Sequence, residues 1–303
     1  MKLPYQDDSK IRGINLGGWL LLEPWITPSL FSIFPNLPPE DRPVDEYTFC
    51  LNLGQDLSHR LLTRHWQSFI TEADIQAIAQ TGITHIRLPV GYWALENNED
   101  LKEDGLPPEP WVRGAWYYVE QCLTWAYNHK IKLLVDLHGV PGSQNGFDNS
   151  GRRGPILWQS GPKNVERTLR VITRMAMQLA LHPHHSALFG IEVVNEPAGW
   201  ALNIDELKAF YKNAYKKIRV YFPVWTCAVV LHDAFLGMRA WTGFMQYNDP
   251  EKFENVWLDV HRYQCFDENM MTWTNEQRFK AVESERGEFA WSTKNLWTFV
   301  GEW

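Results

Sequence analysis

The feature that most restricts how this chain can fold is an alternation of short apolar runs and amphipathic segments that persists from Ile11 to the last residue. The runs IRGINLGGW from Ile11, ITHIRLPV from Ile83, KLLVDLHG from Lys132, GIEVVNEPAGW from Gly190, TCAVVLHDA from Thr226, VWLDVHRY from Val256 and the closing TFVGEW read as seven strands, rich in β-branched and aromatic residues. Helical spacing occupies Asp56 to Gln80, Trp116 to Tyr127, Val165 to Leu181, Ile204 to Tyr221 and Asn275 to Lys294. Thr71 with Asp74 has the form of a capping pair, and Gly82 is placed to stop that helix. Pro35, Pro38, Pro39 and Pro43 mark an inserted loop after the first strand. Strands separated by crossover helices imply a parallel sheet, because parallel neighbours cannot be joined by a tight turn. The 303 residues show no repeat and no composition break, which suits one α/β domain closed as a barrel.

Polar groups collect where these strands end. Arg87 lies late in the second, His138 ends the third, Asn195 and Glu196 follow the fourth, His232 and Asp233 the fifth, His261 and Tyr263 the sixth, and Glu302 the seventh. In a barrel of this type all those ends open on one face, where active sites are built. Pro197 cannot extend a ladder, so Glu196 is expected at the mouth of its strand rather than inside it. Two carboxyls on opposite walls, Glu196 and Glu302, have the form of a glycosidase pair: one attacks the anomeric carbon, while the other protonates the leaving oxygen and then activates water. Arg87 by charge and Tyr263 by hydrogen bonding would keep Glu302 ionised, and Asn195 suits a sugar 2-hydroxyl. The plainer readings are a Glu196 that only starts a loop, an Arg87 in a structural ion pair, and core histidines at His138, His232 and His261.

Other classes of function find less support. With 29 basic against 36 acidic residues the net charge is −7 and no like-charge block occurs, which disfavours nucleic acid as a partner. There is neither a GxGxxG fingerprint nor a Gly-Lys-Ser/Thr phosphate loop. Cys50, Cys122, Cys227 and Cys265 lack paired CxxC spacing, and two disulfides or none remain open. A metal hydrolase using His138, His232, His261 and Asp233 is the rival enzyme, yet no HxH or HExxH spacing is present, and HPHH from His182 reads as a solvated loop. The opening MKLPYQDDSK has no apolar core of a signal peptide, and no segment reaches membrane-spanning length without charge, so neither an export signal nor membrane insertion is expected. Sixteen tryptophans are a heavy aromatic load, compatible with stacking on sugar faces as well as with packing.

The segments RGINLGGWLLLEPWITPSLF, DEYTFC, IRLPVGYW, DLHGVPGSQNGFDNSG, VVNEP, HRYQCF and the terminal GEW resemble, in order, those of the fungal exo-β-1,3-glucanases of glycoside hydrolase family 5. The resemblance implies a (β/α)8 TIM-type barrel without cofactor or metal, a monomer that cleaves β-1,3-glucan from the non-reducing end with retention and releases glucose. It makes Glu196 the acid/base and Glu302 the nucleophile, with Arg87, His138, Asn195, His261 and Tyr263 supporting them. Glu23 in LEPW and Asp148 in FDNSG match residues that hold glucose hydroxyls, and Phe147 and Phe266 match an aromatic clamp on the leaving side. It also implies an eighth strand and a final helix after Glu302. The expectation is therefore one catalytic domain over residues 1–303, truncated after its seventh strand, as a fragment or partial isoform would be. An inactive glucan-binding relative, or a β-glucosidase for β-1,6-glucan or glycolipid glucosides, are the alternatives. The family is secreted or wall-bound, whereas the missing leader allows an intracellular relative.

Overall fold

A computed structural model describes residues 10–34, 36–161, 163–246, 249 and 251–303. Pro35 and the leading stretch through Ser9 lie outside the described residues. The seven apolar runs form β1 (Gly13–Asn15), β2 (His85–Gly91), β3 (Lys132–Gly139), β4 (Leu188–Glu192), β5 (Ala228–His232), β6 (Val256–His261) and β7 (Trp297–Glu302). They pair in parallel in sequence order, β1 through β7, so each crossover moves the chain one place around the barrel. No ladder joins β7 to β1 among the described residues; the Asn15 side chain spans that seam by donating from Nδ2 to the Gly301 carbonyl at 2.8 Å. A cleft of about 610 Å³ opens along the seam, lined by Ile14, Phe189, Phe299 and Trp303 among others.

The helices are α1 (Pro28–Phe31), α2 (Glu46–Ser68), α3 (Glu72–Gln80), α4 (Asn98–Glu103), α5 (Ala115–Asn128), α6 (Asn164–Leu181), α7 (Ile204–Arg219), α8 (Glu268–Met271) and α9 (Asn275–Asn295). The expected capping box of Thr71 and Asp74 opens α3. The helical segment expected from Asp56 begins earlier, at Glu46, where the Asp45 carboxylate accepts from the Thr48 amide at 2.7 Å. Gly54, at φ +71°, interrupts that helix, so the apolar period restarts beyond it and hides the first turns from a periodicity reading.

Strand periodicity places the site. Leu134, Asp136 and His138 share one face of β3; Ala228, Val230 and His232 one face of β5; Trp257, Asp259 and His261 one face of β6. The lower residues of these columns, Leu134, Ala228, Val230 and Trp257, pack with Phe189 as an apolar plug inside the barrel. The upper ones form a buried charged layer. The opposite face of each strand, including Leu133, Val135, Val229 and Leu258, packs into the larger core with helix residues such as Val119, Ile172 and Tyr211. No described helix is long and apolar enough to cross a membrane.

Candidate active site

At the carboxyl ends of the strands, Arg87 is the hub. Its guanidinium is buried and reaches Glu302 at 2.7 Å, Glu192 at 2.9 Å, Asp136 at 3.1 Å and Asp259 at 3.7 Å, while also donating to Asn195 Oδ1 at 2.7 Å and Asn15 Oδ1 at 3.2 Å. Burial works against its charge, but the Asp136, Glu192, Glu302 and Asp259 carboxylates outweigh burial and raise its pKa further. Burial, aided by Asp136 and Asp259, pushes Glu192 well above the carboxylate range despite Arg87.

Glu302 receives the benefit. Burial alone would raise it, yet Arg87, His261, His138 and the Tyr263 hydroxyl, which donates at 2.8 Å, bring its pKa down to about 2. A carboxylate held ionised and aimed from two sides is what a nucleophile needs. The backbone beside it is equally fixed. The Gly301 amide donates to Asp259 Oδ1 at 2.6 Å, and a Cβ on Gly301 would lie 2.0 Å from Asp259 Oδ2, so only glycine fits there.

Glu196 is held differently. It sits just past β4 at φ +45°, a left-handed conformation that costs a non-glycine residue on the order of 1 kcal/mol or more and that gathers at functional sites. His261 Nδ1 donates to its Oε1 at 2.7 Å and Asn149 Nδ2 donates to its Oε2 at 2.8 Å. The same His261 nitrogen lies 3.5 Å from Glu302 Oε2. One imidazole nitrogen thus stands against both carboxyls and holds them at one side of the barrel mouth. Burial opposes the charge on His261, but Asp259, Glu196 and Glu302 raise its pKa well above the ordinary histidine value. His138 is likewise raised against its burial, chiefly by Asp136, which accepts from its Nδ1 at 2.6 Å. Asn195 is fully buried, its oxygen taken by Arg87 and its Nδ2 3.5 Å from both His138 Nε2 and Glu196 Oε2.

Glu23 is buried beside this layer, and burial, against the influence of His138, raises its pKa to about 7. Its loop is anchored by Glu46, whose carboxyl accepts from the Leu22 amide and from Trp93 Nε1, both at 2.8 Å. Asp148 opens the short 3-10 turn Asp148–Ser150 that also carries Asn149. Phe147 and Phe266 are 41% and 82% exposed, and each leans on a different ring, Trp200 at 6.1 Å and Tyr263 at 5.3 Å.

The sequence of residues 50–303 matches the model for Cellulase (glycosyl hydrolase family 5). The chain belongs to glycosyl hydrolase family 5. Among curated relatives it is 41% identical over 297 residues to a glucan 1,3-beta-glucosidase of Blumeria graminis, covering 98% of this chain and 65% of that one. It is 40% identical over 295 residues to glucan 1,3-beta-glucosidase 1 of Schizosaccharomyces pombe, covering 97% of this chain and 68% of that one. The chain thus spans about two thirds of the length of these relatives. In fold it is similar to the rutinosidase from Aspergillus niger, with a TM-score of 0.81 at 22% identity over 97% of this chain and 79% of that one.

Within this family 5 site, the residues expected at the strand ends do converge: Arg87, His138, Asn195, Glu196, His261, Tyr263 and Glu302 form one hydrogen-bonded cluster. The rival metal set does not assemble as expected. The close groups are Glu196 with His232 and His261, and Glu192 with Asp259 and His261. His232 suits neither metal nor proton transfer: its Nδ1 accepts from the Ala234 amide at 3.0 Å, and burial lowers its pKa far below the ordinary value, so the single proton occupies Nε2 and no lone pair is free. Asp233 is used locally, accepting from the Phe235 amide at 2.9 Å. All four cysteines are free. Sequence reasoning missed Asp136, Glu192 and Asp259, the acids beneath Arg87, and Asn149 on Glu196. A signal for the three acids was present, since each lies within an otherwise apolar strand run, where a carboxylate requires a buried partner. Asn149 carried no such signal.

Proposed function

We propose that this chain carries the catalytic apparatus of a retaining exo-acting β-1,3-glucosidase that releases glucose from the non-reducing end of a glucan. The observation that carries the reading is His261 Nδ1, 2.7 Å from Glu196 and 3.5 Å from Glu302, which brings both carboxyls to one imidazole, as a pair working on one glycosidic bond requires. Glu302, ionised beside Arg87 and Tyr263, attacks the anomeric carbon and forms a glycosyl ester. Glu196, aimed by His261 and Asn149, gives a proton to the departing glycosidic oxygen and then removes one from the water that cleaves the ester. The protonated Glu23 can donate to a glucose hydroxyl, with Asp148 as an accepting neighbour, and Phe147 and Phe266 flank the first leaving-side sugar. Linkage preference rests on the names of the curated relatives, glucan 1,3-beta-glucosidases of about 40% identity. A polymeric substrate of this kind places the work at a glucan wall or outside the cell, and the site is built within a single copy of the chain.

The test is turnover of laminari-oligosaccharides against β-1,4 and β-1,6 oligoglucosides, with the anomer of the released glucose read by NMR. Initial release of β-glucose from β-1,3 substrates is expected; initial α-glucose, or hydrolysis confined to another linkage, refutes the reading.

A further inference from the structure

Three successive loops deliver exposed aromatic rings to the same side of the mouth. Phe147 comes from the loop after β3, Trp200 from the loop after β4 and Phe235 from the loop after β5; they are 41%, 61% and 41% exposed. The Trp200 ring sits 6.1 Å from Phe147 and 5.5 Å from Phe235, tilted at 38° and 45°, so the three make a continuous row with Trp200 at its centre.

The backbone goes to some length to present this row. Ala234 and Phe235 stand consecutively at φ +55° and +58°, a conformation unfavourable for both, held by the Phe235 amide bonding Asp233 Oδ1. The loop bearing Trp200 is pressed against them: a Cβ on Gly199 would lie 2.3 Å from the Ala234 carbonyl, and the Ala198 amide is tied to the Gln144 carbonyl at 3.0 Å. Backbone strain spent on holding three half-exposed rings side by side is the pattern of a surface built to receive a ligand.

The row is continuous with the acid side of the site. Trp200 shares the loop of Glu196, Phe147 shares the loop of Asn149, and Phe235 touches His232 at 5.1 Å, which touches His261 at 4.4 Å. The acid stands beside the leaving oxygen, so what lies beyond it along its own loop faces the leaving chain.

We propose that Trp200, backed by Phe235 and Phe147, is a stacking platform for the second and later glucose residues on the leaving side, and so sets a preference for longer β-linked oligoglucans over short substrates. The inference rests on the glucosidase reading above. Its physical basis is the match of flat indole and phenyl faces to the apolar C–H faces of β-glucose, which tolerates a sliding chain because no directional bond is required.

The experiment compares kcat/KM on laminaritetraose with that on an aryl β-glucoside, which is too short to reach past the first leaving-side position. In Trp200→Ala the tetraose value is expected to fall about tenfold more than the aryl glucoside value, with Trp200→Phe recovering most of the difference. Equal falls in both would overturn the platform and mark the row as a surface for something other than this substrate. If the unaltered chain turns over neither substrate, the hydrolytic reading fails on its own; calorimetric binding of laminarihexaose to the Glu302→Gln chain with and without Trp200→Ala then decides the platform, about tenfold weaker binding supporting it and unchanged binding refuting it.

Discussion

The two walls that carry Glu196 and Glu302 are built in opposite ways. β4, behind Glu196, is buried along its whole length and laddered on both sides, to β3 and β5. β7, which ends in Glu302, is only partly buried and, among the described residues, is laddered to β6 and bridged to β1 by the Asn15 side chain. Glu196 is therefore placed by backbone: an enclosed strand, a left-handed φ and loops that crowd it. Glu302 is held by side chains as well as by its ladder to β6, through Arg87, Tyr263 and the Asp259 clasp on Gly301. The comparison teaches that an active-site residue can be fixed from inside the barrel as firmly as from its walls, provided the interior holds a charge large enough to hold it.

Several measurements would break or sharpen that contrast. The largest effect is expected from Glu302→Gln, which removes both the proposed nucleophile and its ion pair with Arg87: turnover of an activated aryl β-glucoside should fall roughly 10⁴-fold or more, whereas Glu196→Gln should largely spare the first step with a leaving group that needs no proton. Retention of full activity by Glu302→Gln would end the assignment. Next comes Arg87→Met, which strands several buried acids. Urea unfolding should show a loss of about 3–5 kcal/mol, and the acid limb of kcat/KM should move to higher pH as Glu302 loses its main partner; a small loss would mean that β7 is held by its one ladder after all.

The pH dependence of stability separates the two walls again. Glu302 titrates in the fold at about 2, below its ordinary value, so its contribution is complete above the ordinary carboxylate pKa near 4.5 and is lost as the pH falls from there towards 2. Glu23 has the opposite sign. Its folded pKa of about 7 exceeds 4.5, so the unfolded chain ionises first and stability declines as pH rises from about 4.5 to about 7, then levels. Glu23→Gln should therefore gain up to about 3 kcal/mol at pH 8 and nothing at pH 4, read from melts across that range. The smallest effect is expected from Asn15→Ala at the seam, about 1 kcal/mol. A much larger loss there would show that the bridge from β1, rather than Arg87, fixes the strand that ends in Glu302.

Much of this fold could be read before any coordinates, since its signals are local. The apolar runs are dense in β-branched residues, the crossover helices carry a clean period, and the Thr71–Asp74 cap is a contact between neighbours in sequence. The start of α2 was misplaced because Gly54 breaks the period on which such reading depends. The site was legible in its outer members for a related reason: strand ends in a parallel barrel all face one way, so His138, Glu196, His261 and Glu302 announce themselves by position. Asn149 and Trp200, on loops whose direction depends on what they pack against, did not.

The amino-acid order alone settled which strand-end side chains reach the mouth of the barrel, because a strand sends alternate residues inward and a crossover returns the chain in the same sense. Only the assembled barrel decided their charge states. Whether a carboxyl is held near pKa 2, as Glu302 is, or near 7, as Glu23 is, depends on which ions stand within a few ångströms and how much water is excluded. Those are properties of distances between residues far apart in the chain, and the sequence of either residue's neighbourhood does not contain them.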